Sequence, residues 1–137
     1  MLCESIRALI LGERERQGAD FIQGVDLDAY LAKLEEKAEI LADSIAGRCR
    51  GFVAFYCNNL ATQQAYITMV LVDPDDRGAG LGKWLVASVL ETAKRRGFTS
   101  CRLEVAERSD VAYAMYLSLG FRVVERRDRT FLLEVAL

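Results

Sequence analysis

The chain has 137 residues, 18 basic and 20 acidic side chains for a net charge of −2, and no histidine. This length fits one domain over residues 1–137, and 52% hydrophobic with 28% charged residues describes a folded protein. The near-neutral charge gives no electrostatic reason to expect nucleic acid as a partner. Without histidine, Ser-His-Asp and Cys-His catalysis and histidine-containing zinc sites are excluded.

The cysteines and the start of the sequence bear on compartment and metal binding. Cys3, Cys49, Cys57 and Cys101 are widely spaced, so we expect small buried hydrophobes and no metal site. No basic-then-apolar leader opens the sequence, and the apolar run at residues 69–72 is too short to cross a bilayer. Free thiols without an export signal favour a cytoplasmic protein with no membrane partner.

Two helices are predicted at the start of the chain. Apolar residues from Leu2 to Ile10 recur at helical spacing, and Gly18 is expected to end this first helix. A second helix follows, with Asp26 or Asp28 as its cap.

The remaining pattern alternates strands and helices. Residues 40–42 and 51–56 are strand-like and joined through Gly47 as a hairpin, and residues 66–72 form a third strand. A helix over residues 80–96, a strand over 101–106 and a short helix follow. Ser109 can cap this short helix, and Val111 is expected on its apolar side. Strands at 121–124 and 130–135 complete the order ααβββαβαββ. We therefore predict one domain of the α/β class, built on a mixed sheet.

The most informative segment is the loop that joins the third strand to the long helix. Its glycines stand at alternate positions, Gly78, Gly80 and Gly82, and the loop opens directly into the helix. Residues without a β-carbon let backbone N–H groups approach an anion, and a helix N-terminus adds partial positive charge. The loop therefore predicts a cradle for a phosphate or pyrophosphate.

Three known phosphate-binding patterns compete for this loop. A Walker P-loop requires glycine and Ser or Thr where the chain has Arg77 and Trp84. The dinucleotide fingerprint has Lys83 in place of its third glycine. A third pattern, Arg/Gln-x-x-Gly-x-Gly, is met by Arg77, Gly80 and Gly82.

Together with two segments downstream, this loop resembles the GNAT superfamily of acetyl-CoA-dependent N-acetyltransferases. The segments are residues 103–105 and residues 112–121, which carry the pattern Ala-x-x-x-Tyr-x-x-x-Gly-Phe, and the resemblance covers residues 51–137. It implies a mixed, mostly antiparallel sheet flanked by helices, here without the family's usual first strand. It also implies acetyl-CoA as co-substrate, no metal, and direct acetyl transfer to a primary amine of a small molecule or peptide.

The resemblance also assigns the cofactor contacts. Loop amides would bind the CoA pyrophosphate, main chain of the preceding strand would pair with pantetheine, and an amide near Leu71 would stabilise the oxyanion. Arg77 is a candidate phosphate contact, and Ser109 stands where the family often has asparagine. The predicted cofactor-binding residues are Val70, Val72, Arg77, Gly78, Ala79, Gly80, Gly82, Lys83 and Ser109.

Two side chains are candidates for proton transfer. The resemblance places the general acid on Tyr116, whose hydroxyl stays protonated at neutral pH and can give its proton to the leaving sulfur. Glu104 is the general-base candidate, because strand alternation sends its side chain away from its apolar neighbours. Ribosomal-protein N-terminal acetyltransferases, which this segment resembles, have a glutamate at the matching position. The alternative for Tyr116 is a tyrosine that only packs in the core, and the alternative for Glu104 is a solvated strand residue. Tyr113 is assigned to packing or substrate contact.

The acceptor site and the partners are less sharply defined. Phe21, Tyr30 and Tyr56 are candidates to line the acceptor region, as are Asn58 and Asn59, which fit a turn better. The exposed sheet edge could support a homodimer. The alternative functions are a non-catalytic acyl-CoA-binding module or sensor and a nucleotide-phosphate-binding protein unrelated to CoA.

Overall fold

A computed structural model describes residues 3–18 and 26–137 of the chain. The predicted order ααβββαβαββ is confirmed in these residues. The helices are α1 Glu4–Gln17, α2 Leu27–Lys37, α3 Leu81–Arg95 and α4 Asp110–Ser118. The strands are β1 Glu39–Ile45, β2 Arg48–Tyr56, β3 Gln64–Val72, β4 Ser100–Ala106, β5 Arg122–Arg127 and β6 Thr130–Ala136.

The strands form a single six-stranded sheet in the order β1-β2-β3-β4-β6-β5. Only β3 and β4 run parallel, and the other neighbours are antiparallel. The predicted hairpin between β1 and β2 is present, with Ala46 at φ 52° and Gly47 at φ 79°. Two consecutive positive φ angles match the twist of a tight hairpin turn. The predicted mixed, mostly antiparallel sheet is therefore confirmed.

Each face of the sheet carries its own hydrophobic core. The front face packs against α3 and α4, and the back face packs against α1 and α2. Ile67 and Val70 of β3 both contribute to the front core, whereas Met69 and Leu71 contribute to the back core. Strict alternation cannot place residues three apart on one face, so an extra residue, Thr68, interrupts the strand.

Capping residues fix the ends of the first two helices. Gly18 ends α1 with φ 66°, and the side chain of Asp26 caps α2 by accepting a 3.2 Å hydrogen bond from the Ala29 amide. Leu2, predicted on the first helix, lies outside the described residues. In the described part of the chain no strand precedes α1.

Two expectations from the sequence are wrong in detail. Cys49, Cys57 and Cys101 are buried as predicted, but Cys3 is exposed because it precedes the first turn of α1. Val111, expected on the apolar side of α4, is 88% exposed. Within residues 3–18 and 26–137 no helix combines the length and hydropathy needed to span a membrane.

Candidate active site

The central strands β3 and β4 pair along only part of their length. Their register runs from Gln64 opposite Ser100 to Ile67 opposite Leu103 and then stops, although both strands continue. Beyond that point β3 stays paired with β2, and β4 stays paired with β6 to the end of the strand. The two halves of the sheet therefore separate and leave an opening between them.

The opening begins at the bulge in β3. Met69 pairs with Ala54 and Ile67 pairs with Phe55, so Thr68 is the extra residue. A bulge bends its strand and increases the local twist, which turns β3 away from β4. Tyr30 of α2 fixes this bend, because its hydroxyl lies 3.1 Å from the Thr68 carbonyl oxygen and 2.7 Å from the Thr68 Oγ1.

Strand geometry decides which backbone groups of β3 face the opening. The Asp73 amide donates a 2.7 Å hydrogen bond to the Arg50 carbonyl of β2. Because backbone groups of alternate residues point to opposite neighbours, Leu71 also bonds toward β2, opposite Phe52. The N–H and C=O groups of Val70 and Val72 point the other way, toward the space that β4 has left.

The opening is a cleft of about 340 Å³ that reaches both faces of the sheet. Ser109 and Tyr116 line it beside α4, which packs on the front face. Tyr66 and Glu104 also line it, and both project from the back face because their strand neighbours enter the front core. The cleft therefore connects the α4 side of the sheet to the side covered by α1 and α2.

The glycine loop follows β3, beyond the residues that line the cleft. Gly78 and Gly80 have φ angles of 88° and 82°, and a β-carbon built on either would meet no atom within 4 Å. The Gly80 carbonyl accepts a 3.0 Å hydrogen bond from the Trp84 amide and begins α3. Within the described residues the amides of Gly78 and of residues 80–83 donate no hydrogen bond, and the Ala79 amide closes only the turn at residues 77–78. This set of free N–H groups at a helix N-terminus is suited to an anion.

Tyr116 presents its hydroxyl to the cleft from an otherwise buried ring. The residue is 7% exposed, and its ring packs edge-on against Phe121 with centroids 5.7 Å apart. In the described part of the chain the Tyr116 hydroxyl has no hydrogen-bond partner. Every fully buried side-chain oxygen of the described residues has one, so this hydroxyl is not fully buried and opens into the cleft. Burial, with a contribution from Cys101, raises the pKa of Tyr116 to about 12. The phenol therefore stays protonated at neutral pH and is free to donate.

Glu104 lies in the cleft beside the guanidinium of Arg127, a contact that the sequence did not predict. Arg127, at the end of β5, donates from Nη1 to Glu104 Oε1 and from Nε to Glu125 Oε2 at 2.9 Å. Burial raises the pKa of the neighbouring Tyr66, and the Glu104 carboxylate adds to that rise while Arg127 opposes it. The Glu104 carboxylate is thus bound to the Arg127 guanidinium, which it shares with Glu125.

A comparison with known protein families identifies the family of this chain. The model of the acetyltransferase (GNAT) family matches residues 9–121. This chain belongs to the GNAT family. The match includes α2 and the part of α1 from residue 9 onward, which the sequence resemblance over residues 51–137 did not cover.

Two named relatives share part of their sequence with this GNAT chain. It is 34% identical over 100 residues to an uncharacterized N-acetyltransferase of Methanocaldococcus jannaschii, which covers 70% of this chain and 44% of that protein. It is 34% identical over 68 residues to the ribosomal protein bS18-alanine N-acetyltransferase of Escherichia coli, which covers 50% of this chain and 46% of that protein. The matched segments thus span less than half the length of these relatives.

The fold is that of solved acetyltransferases. A Bacillus subtilis acetyltransferase crystallised with CoA superposes with a TM-score of 0.78 at 18% identity, over 100% of this chain and 94% of that one. At that level of identity the comparison establishes only the fold of this GNAT chain and says nothing about its acceptor.

Two predicted cofactor residues have unexpected surroundings in this GNAT domain. The Arg77 guanidinium donates to the Val72 carbonyl at 3.0 Å and to Glu13 of α1 at 2.9 Å, so it is already occupied. Ser109 begins α4, but its side chain makes no capping hydrogen bond. The Ser109 hydroxyl lines the cleft instead and is open to a ligand.

Not all of the residues predicted to line the acceptor region lie at the cleft. Tyr30 lines the cleft, whereas Tyr56 lies under the Lys33 ammonium, 5.5 Å from its ring centroid. Asn59 forms the expected turn, since its side chain accepts from the Thr62 amide at 3.3 Å. Phe21 lies outside the described residues.

Three residues at the site were missed by the sequence analysis. Glu13, Tyr66 and Arg127 come from α1, from the start of β3 and from the end of β5, and none stands in a recognisable motif. A glutamate within the polar pattern of a helix and an arginine in a charged hairpin look like solvated surface residues. Only the contacts of Glu13 and Arg127 distinguish them from such residues.

Proposed function

We propose that this chain is an N-acetyltransferase that moves an acetyl group from acetyl-CoA directly to a primary amine. The observation that carries the proposal is the opening between β3 and β4, which has the Tyr116 hydroxyl on its wall. The loop amides at the N-terminus of α3 follow β3 along the chain. The family membership and the likeness of fold to a CoA-bound acetyltransferase support it.

The cofactor would lie along the separated edge of β3. The amides of residues 78–83 would hold the pyrophosphate. The N–H and C=O of Val70 and the N–H of Val72 would pair with the amides of pantetheine, as a β-strand would, while the Val72 carbonyl already accepts from Arg77. This places the thioester inside the cleft. The geometry favours the Val70 amide over that of Leu71 for the thioester carbonyl, because Leu71 bonds toward β2.

The reaction would run as a single displacement in a ternary complex. A neutral amine attacks the thioester carbon, and the Val70 amide stabilises the negative charge that develops on the carbonyl oxygen. The carbon–sulfur bond then breaks, and the Tyr116 hydroxyl gives its proton to the departing CoA thiolate. Among the described residues Cys101 is buried and its pKa is raised to about 12, chiefly by burial, so it is a poor nucleophile for a covalent intermediate.

The acceptor would enter from the back face, opposite the cofactor. Tyr30, Tyr66 and Glu104 line that end of the cleft. Glu104 would accept the proton that the amine loses, directly or through a water, after the ammonium has taken the place of Arg127. The relative that acts on ribosomal protein bS18 modifies an alanine amine, and another relative is a glucosamine 6-phosphate N-acetyltransferase. Both acceptors are primary amines, which is the class we assign here.

Binding of acetyl-CoA is the first test of this function. At about 100 times its Kd, acetyl-CoA should add about 2.7 kcal/mol to the free energy of unfolding. For a domain of this size that corresponds to a rise in Tm of roughly 10 °C, measured by differential scanning fluorimetry. A rise with ATP or NAD but none with acetyl-CoA would show that the loop serves another nucleotide. A rise with acetyl-CoA, but no CoA release with any amine of a broad panel, would indicate the non-catalytic acyl-CoA-binding module.

The role of Glu104 is tested by its pH dependence. With the best amine of the panel, Glu104→Gln should lower kcat/KM by about 10- to 100-fold near pH 6, where few acceptor amines are neutral, and by much less near pH 9. Glu125→Gln is the matched control, because Glu125 also contacts Arg127 but does not line the cleft. An equal loss at both pH values, or in both variants, would remove Glu104 as the base.

A further inference from the structure

Glu13 of α1 carries a buried carboxylate that takes no part in the proposed reaction. It is 5% exposed and is the only buried charged residue in the described part of the chain. Oε1 accepts from Arg16 at 2.8 Å and from Arg77 at 2.9 Å, and Oε2 accepts from Gln17 at 2.6 Å. Burial alone would raise the pKa of Glu13, but the hydrogen bonds outweigh it and lower the pKa. Glu13 is therefore an ionised and fully engaged carboxylate.

Arg77 connects this carboxylate to the cofactor side of the cleft. Its Nη2 binds Glu13, and its Nε donates to the Val72 carbonyl at 3.0 Å. That carbonyl points into the space from which β4 has separated, so it lacks the strand partner it would have in a continuous sheet. One guanidinium thus joins α1, the end of β3 and the start of the glycine loop.

We propose that Glu13 and Arg77 are positioning residues, forming a strut that holds the glycine loop in the geometry that binds acetyl-CoA. The inference rests on the proposed function and assigns Arg77 a role other than the predicted phosphate contact. Gly78 and Gly80 allow the loop backbone more conformations than other residues would, and fixing one of these conformations on binding costs free energy. A charge-assisted anchor at Arg77, backed by a buried carboxylate, removes part of that cost before the cofactor arrives.

The strut also reaches the acceptor side of the cleft. Gln17, the third partner of Glu13, lines the same cleft as Tyr66 and Glu104. The Glu13 carboxylate is therefore bonded at one oxygen to the loop residue Arg77 and at the other to a residue of the cleft wall. Loss of its charge should loosen the loop without altering any group that contacts the phosphates.

The test compares the affinity for CoA of Glu13→Gln, Arg77→Met, the double variant and Arg16→Met by isothermal titration calorimetry. Glu13→Gln keeps the volume and removes the charge. A strut predicts that Glu13→Gln and Arg77→Met each raise the Kd for CoA by about tenfold, and that the double variant is no worse than either. Arg16→Met removes another partner of Glu13, one that bonds to Glu13 and not to the loop glycines, so it should leave the Kd unchanged even if it lowers Tm.

A phosphate contact predicts a different pattern. If Arg77 bound phosphate, Arg77→Met would weaken CoA, but Glu13→Gln would free the guanidinium and leave the affinity equal or tighter, which overturns the strut. A positioning role also predicts a raised KM for acetyl-CoA in Glu13→Gln with kcat unchanged at saturation, and a lowered kcat contradicts it. If the unmodified protein fails to bind CoA, the proposed function falls and the strut with it. If it binds and Glu13→Gln binds equally well, only the strut falls.

Discussion

Tyr116→Phe should lower kcat by about 10²- to 10⁴-fold while leaving the affinity for acetyl-CoA unchanged. The change removes one oxygen atom that has no hydrogen-bond partner in the described residues, so the buried ring and its contact with Phe121 remain. What is lost is the proton donor for the leaving thiolate. The measurement is the rate of CoA release with the best amine of the panel, together with calorimetric binding of CoA.

The matched control for this prediction is Tyr113→Phe. Tyr113 lies on the same helix, with its ring 5.4 Å from that of Phe131, and it does not line the cleft. Its variant should keep nearly full activity. Because the pKa of Tyr116 is raised to about 12, the unmodified enzyme should lose no activity from this group below about pH 10. Unchanged turnover in Tyr116→Phe would exclude Tyr116 as the acid.

Gly80→Val should weaken CoA binding by about a hundredfold or more. The φ angle of 82° is unfavourable for a β-branched residue, and the free energy of unfolding should fall by about 1–2 kcal/mol. The larger effect is on the ligand. Around Gly80 no protein atom would meet a new β-carbon within 4 Å, so the valine methyl groups would project from the loop into the space we assign to the pyrophosphate. Calorimetry with CoA and thermal unfolding measure the two effects separately.

Gly97→Val separates backbone strain from ligand exclusion. Gly97 has a φ angle of 84°, also meets no atom within 4 Å, and lies at the opposite end of α3. Its variant should lose the same stability as Gly80→Val but bind CoA normally. Equal losses of affinity in both variants would mean that the anion does not sit at Gly80.

Much of the fold was predictable because its signals are local. The Gly47 turn, the Asp26 cap and the glycine at the end of α1 each act within a few residues. The resemblance to the GNAT superfamily rested on two short motifs, and the family match confirms it. Local signals were less reliable for single side chains, as the 88% exposure of Val111 shows.

The candidate site was predictable only in part. The loop glycines and Tyr116 stand in motifs of residues that are close together in the chain, so the sequence alone shows them. The bulge at Thr68 was not predictable, since it depends on how β2 and β3 register against each other. The same register determines that Val70 and Val72, rather than Leu71, turn their backbone groups to the opening.

The sequence by itself determined the family, the order of the elements and the kind of chemistry open to a chain without histidine. These follow from composition, hydrophobic period and residues that are neighbours in the chain. The tertiary structure alone decided that Arg127 holds Glu104 and that Glu13 holds Arg77, because each pair joins residues 23 or 64 positions apart. Ion pairs at such separations are set by how helices and strands pack on the sheet, and no local pattern in the chain records them.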